Sequence, residues 1–486
     1  MKIAFITTEV FPYAKVGGLG DVSSALPLAL KSLKKEIDIF MPMYKDIDKK
    51  AHKIRKYNHW KPFDIKIGDK SYSVELFRVK LDKKVNVFFI YNEELYNRSG
   101  IYTNTEGKAF KDNHIRDIFF SKASLEVMKI LNLNYDILHT NDSHTALIAP
   151  YIKLVYKDEE VFQNTKIVLT IHNIGAAYQG ICEAVEIEKA GFSYDLHYLG
   201  GPLEFYGKFN FLKAGIYYAD LVTTVSPKYA IEIQTPQFGE GLDGLLREMS
   251  HKLVGILNGI DTNIWNPSKD DLIKKKYSFK TVKKGKLANK KELLKEFFLK
   301  DGKKPLISMI SRLTAQKGFD LLESVAEDLA KLDINLIVLG TGEKNYEMIL
   351  SSLMERYPET FSVKLKYDDK LAHLMEAGSD MFLMPSKYEP CGLNQLYSLA
   401  YGTVPIVKGV GGLEDSIVSY PSEDSTGFKF YKHDSLEMLE AIKKAIDLYK
   451  NNTEEFFNLS KRGMKINNNW KKSAKEYVKQ YTELIK

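Results

Sequence analysis

Cysteine is almost missing from this chain: Cys182 and Cys391 are the only two among 486 residues. Two thiols so far apart cannot staple a small scaffold, so a disulfide framework is excluded and a reducing compartment, the cytoplasm, is the expected location. Long apolar runs are also lacking. No stretch reaches the roughly 18–20 uninterrupted apolar residues that a bilayer span needs. Neither end carries a lipidation signal, and residues 1–8 read as a first strand rather than a secretory leader, so no membrane association is expected. Charge of one sign is scarce too: 70 basic residues face 63 acidic ones, mixed along most of the chain, and a nucleic-acid partner is not expected. The most basic stretch, 269–304, holds Lys274-Lys275-Lys276, Lys283-Lys284 and Lys290-Lys291. It lacks the interleaved aromatics of a single-strand binder and reads as a solvated helix-and-loop surface. No repeat of 20–50 residues and no low-complexity tract is found.

Apolar residues, by contrast, make up 44% of the chain and aromatics 12%, ample for packed cores, and the length implies two or three domains. Short apolar runs alternate with longer amphipathic segments, the pattern of strands joined by crossover helices, so the fold class is α/β. Strands are predicted at 3–7, 37–41, 85–91, 137–140, 167–171 and 221–225, with a helix at 115–131. A second wound sheet is predicted from strands 306–310, 336–339, 382–384 and 404–407, with helices at 318–331, 346–356 and 394–401. The boundary falls near Gly255-Ile256-Leu257-Asn258-Gly259-Ile260-Asp261, before the lysine-rich connector. Two Rossmann-like sheets then face each other across a cleft, and ligands are expected outside the carboxyl ends of their strands.

Three clusters lie at such ends. Lys15-Val16-Gly17-Gly18-Leu19-Gly20-Asp21-Val22 leads into a helical pattern, where glycines admit a close ligand and the helix N-terminus favours negative charge. It is not the dinucleotide fingerprint: the third glycine position is Ser23, and Gly17 follows its strand only after roughly eight residues. The second cluster is His139-Thr140-Asn141-Asp142-Ser143-His144 with Ile171-His172-Asn173. Read individually, Asn141 and His144 fit a helix cap or a backbone-satisfying role. A metal site on His139, Asp142, His144 and His172 matches no familiar spacing, so no metal is expected. The third begins with Ser311-Arg312-Leu313-Thr314-Ala315-Gln316-Lys317-Gly318, which puts two cations at a helix start, the wrong end for them unless an anion is bound. It continues in Pro385-Ser386-Lys387-Tyr388-Glu389-Pro390-Cys391-Gly392-Leu393-Asn394-Gln395, where Glu389 precedes a helix whose first N–H groups are suited to phosphate oxygens. Cys391 is there either a reactive low-pKa thiol or a small packed residue.

Together these motifs, with residues 207–215, Gly239-Glu240-Gly241-Leu242-Asp243-Gly244 and Leu257-Asn258-Gly259-Ile260-Asp261, resemble glycosyltransferase family 5, the bacterial glycogen synthases and plant starch synthases. The likeness runs nearly end to end. It implies a B-type glycosyltransferase fold: an N-terminal domain 1–255 on the glucan acceptor side, completed by a C-terminal helix 471–486, and a nucleotide-sugar-binding domain 256–470. It implies retaining transfer of glucose from ADP-glucose to an α-1,4-glucan acceptor, without cofactor or metal. By matching positions, Asp142, His172, Arg312, Lys317 and Glu389 would be catalytic. Lys15, Gly17, Gly18, Asn258, Gly340, Thr341, Cys391, Gly392, Leu393 and Tyr397 would bind the donor, and Tyr102 and Asn173 the acceptor. Tyr397 stands where the wider retaining pattern has a second glutamate, and Asn394 is closer to the starch-synthase form. A relative using UDP-glucose or another donor, and a non-catalytic glucan-binding protein, are the alternatives.

Overall fold

The computed structural model describes residues 1–300 and 303–486; within the lysine-rich stretch, 301 and 302 lie outside the described residues. The chain divides into two compact units, Met1–Ile256 with Trp470–Lys486, and Leu257–Asn469.

The strands of the first unit are β1 (Lys2–Ile6), β2 (Glu36–Pro42), β3 (Arg55–Lys56), β4 (Phe63–Ile67), β5 (Lys70–Leu81), β6 (Val85–Tyr91), β7 (Ile137–Asn141), β8 (Lys166–Ile171), β9 (Ile181–Cys182), β10 (Glu204–Phe205), β11 (Lys208–Asn210), β12 (Leu221–Thr224) and β13 (Leu253–Gly255). The large sheet runs β13-β12-β8-β7-β1-β2-β6-β5-β3, with β4 on β5, while β9 to β11 form a small sheet apart. Its β13-to-β6 portion is parallel and the β5 flap is antiparallel. Central β1 is buried on both faces, which is why Ile3-Ala4-Phe5-Ile6 reads as an unbroken apolar run. The flap was not predicted. In β5, Tyr72, Val74 and Leu76 are buried and Ser71 and Ser73 exposed, a period-2 pattern that a search for continuous apolar runs passes over.

Helix Gly18–Ser32 buries Leu19, Val22, Leu26 and Leu30, a 3.6-period stripe, against β2 and the C-terminal helix Trp470–Leu484. The latter presents Trp470, Ala474, Tyr477 and Tyr481 in return. The Tyr481 hydroxyl lies 2.6 Å from Nδ1 of buried His139 on β7, whose Nε2 is 2.6 Å from Thr170 Oγ1 on β8. A polar chain thus fixes the last helix to the middle of the sheet.

The second unit is a wholly parallel sheet of β14 (Leu306–Ile310), β15 (Asn335–Leu339), β16 (Phe361–Lys364), β17 (Met381–Met384), β18 (Val404–Lys408) and β19 (Phe428–Phe430), ordered β16-β15-β14-β17-β18-β19. One face packs Ile307, Leu336, Val338, Leu383 and Ile406 against helix Ser435–Asn451; the other packs Leu306 and Ile337 against helix Val282–Glu296. That second helix corrects the connector reading of the lysine-rich stretch. Leu293 and Leu294 are core, buried Lys286 donates to Thr403 Oγ1 at 2.6 Å, and buried Lys290 pairs with Asp380. The predicted helix 318–331 is in fact two, Phe319–Ser324 and Ala326–Ala330, broken at Val325, whose φ of −120° leaves the helical range.

Candidate active site

Each strand order has one place where the chain reverses direction along the sheet. In the first unit it is β1, with β2 on one side and β7 on the other; in the second it lies between β14 and β17. Crossovers on the two sides there leave the sheet on opposite faces, so a crevice opens at the strands' carboxyl ends. The glycine loop follows β1 and Asp142 follows β7; Arg312 and Lys317 follow β14 and Glu389 follows β17.

In the first unit the loop is held by a residue that the sequence reading passed over. Glu9 is buried, and its Oε2 accepts the N–H of Val16 at 2.6 Å and of Gly17 at 3.0 Å. Its Oε1 accepts the Tyr102 hydroxyl at 2.8 Å, which also lies 2.7 Å from Thr8 Oγ1. The Tyr102 hydroxyl therefore braces Glu9, and its ring lies 4.6 Å from that of His144. Gly17 precedes helix Gly18–Ser32 without a side-chain cap, and the Lys15 ammonium reaches Asp21 at 2.7 Å. The sequence signal for Glu9 is an acidic residue three positions after the end of an apolar strand.

Asp142 has φ 55° and ψ −173°, a region that glycine alone enters freely, and holding it there costs on the order of 1–3 kcal/mol. Two contacts enforce it: its N–H donates to Thr170 O at 2.9 Å, and its Oδ1 accepts the His172 N–H at 2.7 Å. Burial pushes its carboxyl pKa up to about 7, while the amides of His172 and Asn173 pull the other way and Glu9 adds to the rise. Asn141 is oriented by donating from Nδ2 to Ile6 O at 3.0 Å, so its Oδ1, 2.9 Å from His172 Nε2, can only accept. The His172 proton therefore sits on Nε2 and leaves Nδ1 as an acceptor, and burial lowers the ring's pKa to about 3, so it is neutral. Asn173 closes a turn by accepting the Gly175 N–H at 2.9 Å. His139, Asp142, His144 and His172 do not converge: His139 faces Tyr481 and Thr170, and His144 faces Tyr102.

In the second unit Lys317 Nζ lies 2.6 Å from Glu389 Oε2, which also accepts Ser386 Oγ–H at 2.9 Å. Lys317 at the helix start is thus countered by Glu389 inside the protein, which corrects the inference that its position alone calls for a bound anion. Arg312 is the exposed cation, and it makes no ion pair among the described residues. Gly318 (φ 74°) turns the loop so tightly that a Cβ would lie 2.1 Å from Pro385 O. This contact locks the β14 loop onto the β17 loop and sets the Lys317–Glu389 distance. Gly392 (φ 70°) and Leu393 lead into helix Asn394–Tyr401, which has no side-chain cap. Burial pushes the Cys391 thiol up to about 12, partly offset by the Asn258 N–H, so Cys391 is a packed residue and not a reactive thiolate. The Tyr397 ring stacks on Trp265 at 3.8 Å. After β15, Gly340 lies against Ser311 O, and Thr341 donates to Glu347 at 2.7 Å. Tyr367, three residues past β16, is 80% exposed, an aromatic surface that no apolar periodicity marks.

Comparison with known proteins agrees with this architecture. Residues 2–248 match the starch synthase catalytic domain, and residues 290–465 match the glycosyl transferases group 1 family. A glycogen synthase of Thermosipho melanesiensis is 42% identical over 100% of this chain and 99% of its own length; one of Fervidobacterium nodosum is 44% identical over 99% and 98%. Among solved structures, the catalytic domain of starch synthase IV from Arabidopsis thaliana, bound to ADP and acarbose, superposes with a TM-score of 0.91 at 30% identity, covering 100% of this chain and 99% of that one. No helix among the described residues is long and apolar enough to cross a membrane. The chain belongs to the glycogen and starch synthase family of glycosyltransferases, with the GT-B fold of two parallel-sheet α/β domains.

Proposed function

We propose that this enzyme transfers glucose from ADP-glucose to the non-reducing end of an α-1,4-glucan, with retention of anomeric configuration, in a reducing cytoplasm. The observation that carries the reading is Arg312, an exposed cation with no ion pair among the described residues, at the switch point of the second sheet and five positions before Lys317 of the Lys317–Glu389 pair. When the bond from glucose to the diphosphate breaks, negative charge gathers on phosphate and positive charge on the sugar ring. Cations and the backbone amides near Gly392 and Leu393, at a helix start without a side-chain cap, stabilise the first selectively in the transition state. Glu389 contacts the donor sugar, and Asp142 with neutral His172 faces the ring on which positive charge grows. The sequence offers no pair of carboxylates at an evident nucleophile–acid spacing, so in this reading the leaving phosphate takes the acceptor's proton on the same face. Tyr367 offers a ring for the base. Lys15, Gly17, Gly18, Asn258, Gly340 and Thr341 complete the donor set, and Asn173 and Tyr102 support the acceptor side. The first unit serves the acceptor and the second the nucleotide.

The test is incorporation of labelled glucose into glycogen from ADP-glucose and UDP-glucose separately. Incorporation from ADP-glucose is expected to dominate. Preference for UDP-glucose would replace the donor, and glycogen binding without transfer from either would make the protein a glucan binder.

Glu9 acts as a positioning residue in this reading. Glu9→Ala frees two partly buried amides and is expected to raise the KM for the donor roughly tenfold with a smaller change in kcat, whereas Glu9→Gln retains most of the affinity. Equal KM in all three proteins would remove Glu9 from the site.

A further inference from the structure

Arg116, in the first turn of helix Asn113–Ile130, is a buried cation that no step of the reaction uses. It is 4% exposed and makes no ion pair among the described residues. Asp112, four positions before it, is held instead by Arg98 at 2.7 Å. Neutral groups satisfy the guanidinium: Nε donates to Leu95 O at 3.1 Å, and Nη1 donates to Ile101 O and to Asn113 Oδ1, both at 2.7 Å. The Tyr96 and Phe110 rings stand around it, their centroids 5.2 Å and 5.0 Å from Cζ. Taking a charge out of water is costly even with such contacts, and a helix N-terminus disfavours a cation further. An apolar side chain of similar volume would serve packing alone without that cost.

What the charge secures is the backbone around Tyr102. Arg116 bonds the Ile101 carbonyl directly, and Asn113, which accepts from Arg116 through Oδ1, donates from Nδ2 to Tyr102 O at 2.9 Å. The guanidinium thus grips the carbonyls on both sides of the Tyr102 Cα, one by itself and one through Asn113. From there the chain of bonds runs on. The Tyr102 hydroxyl donates to Glu9 Oε1 at 2.8 Å, and Glu9 Oε2 holds the N–H groups of Val16 and Gly17 in the glycine loop.

We infer that Arg116 is a positioning residue for the transfer reaction: it seats Tyr102 on Glu9 and, through Glu9, sets the shape of the glycine loop that receives the donor. The inference rests on the proposed function and extends it from the groups that meet substrate to the one that holds them in place. A guanidinium suits the task because its planar fork bonds several acceptors in fixed directions, which a lysine ammonium does not.

The experiment measures kcat and the KM for the sugar nucleotide, with glycogen as acceptor, in wild type, Asn113→Ala, Arg116→Lys, Tyr102→Phe and the double variant Asn113→Ala with Tyr102→Phe. Each single substitution is expected to raise the KM about 3- to 10-fold, the effect of losing one hydrogen bond in the chain, with a smaller change in kcat. In the double variant the KM stays near that of Tyr102→Phe, because both substitutions cut the same chain. General loosening of the fold multiplies the two effects instead, and that result would overturn the inference. An active Asn113→Ala or Arg116→Lys with the wild-type KM would overturn it too. Asn113 is only partly buried, so its cycle with Tyr102 remains measurable even where Arg116→Lys does not fold. Absence of transfer by wild type from either donor tells against the proposed function and takes this inference with it, whereas unaltered variants of an active wild type remove this inference alone.

Discussion

Replacing Arg312 or Lys317 by alanine is expected to lower turnover by roughly 10²–10³-fold each, the usual cost of losing one preorganised group that meets charge only in the transition state. The two variants differ in what else they lose. Arg312 is exposed and unpaired among the described residues, so Arg312→Ala leaves the melting temperature near that of wild type. Lys317 neutralises Glu389, which is 6% exposed, so Lys317→Ala strands a buried carboxylate and costs about 3–5 kcal/mol of stability. Lys317→Ala combined with Glu389→Gln regains much of that stability and none of the activity. Steady-state kinetics and urea titrations of the four proteins check this, and near-full turnover in either alanine variant would contradict the assigned roles.

Asp142→Asn is expected to stabilise the protein at alkaline pH while lowering turnover roughly 10²-fold. Its folded pKa, about 7, lies above the ordinary 3.8, so the folded state holds a proton that the unfolded chain releases. The associated stability is complete below about pH 4 and is lost as pH rises through 7, when the carboxyl ionises without solvent. The full difference is on the order of 4 kcal/mol. Asparagine keeps an oxygen for the His172 and Asn173 amides and never ionises. The variant should therefore gain about 1–3 kcal/mol at pH 8 and almost nothing at pH 4. Urea denaturation at the two pH values measures this directly. A variant less stable than wild type at pH 8 would mean that the carboxylate is paired more strongly than its burial is costly. Asp142 also occupies a strained backbone conformation, so strain and carboxyl burial fall on one residue, and the proposed role rests on that coincidence.

Much of this was legible in the chain. Buried parallel strands such as β1, β14 and β18 announce themselves as short apolar runs because both faces are covered, and the glycine loop and Glu389 run carry their chemistry in adjacent residues. Local sequence therefore determined the α/β class, the strand ends to inspect and the candidate groups on them. It did not determine partnership. That Lys317 meets Glu389 across 72 positions, that Glu9 holds Val16 and Gly17, and that Asn141 fixes the tautomer of His172 follow only once β1 has β7 beside it, β7 has β8, and β14 has β17. The lysine-rich stretch shows the same limit. Composition makes it a solvated surface, yet Lys286 and Lys290 are buried because carbonyls, Thr403 and Asp380 arrive from distant strands and helices to satisfy them. Chemistry that depends on one residue and its neighbours is written in the chain. Chemistry that depends on burial and on a partner brought by another strand belongs to the tertiary structure, because desolvation and hydrogen-bond geometry exist only after the sheet has formed.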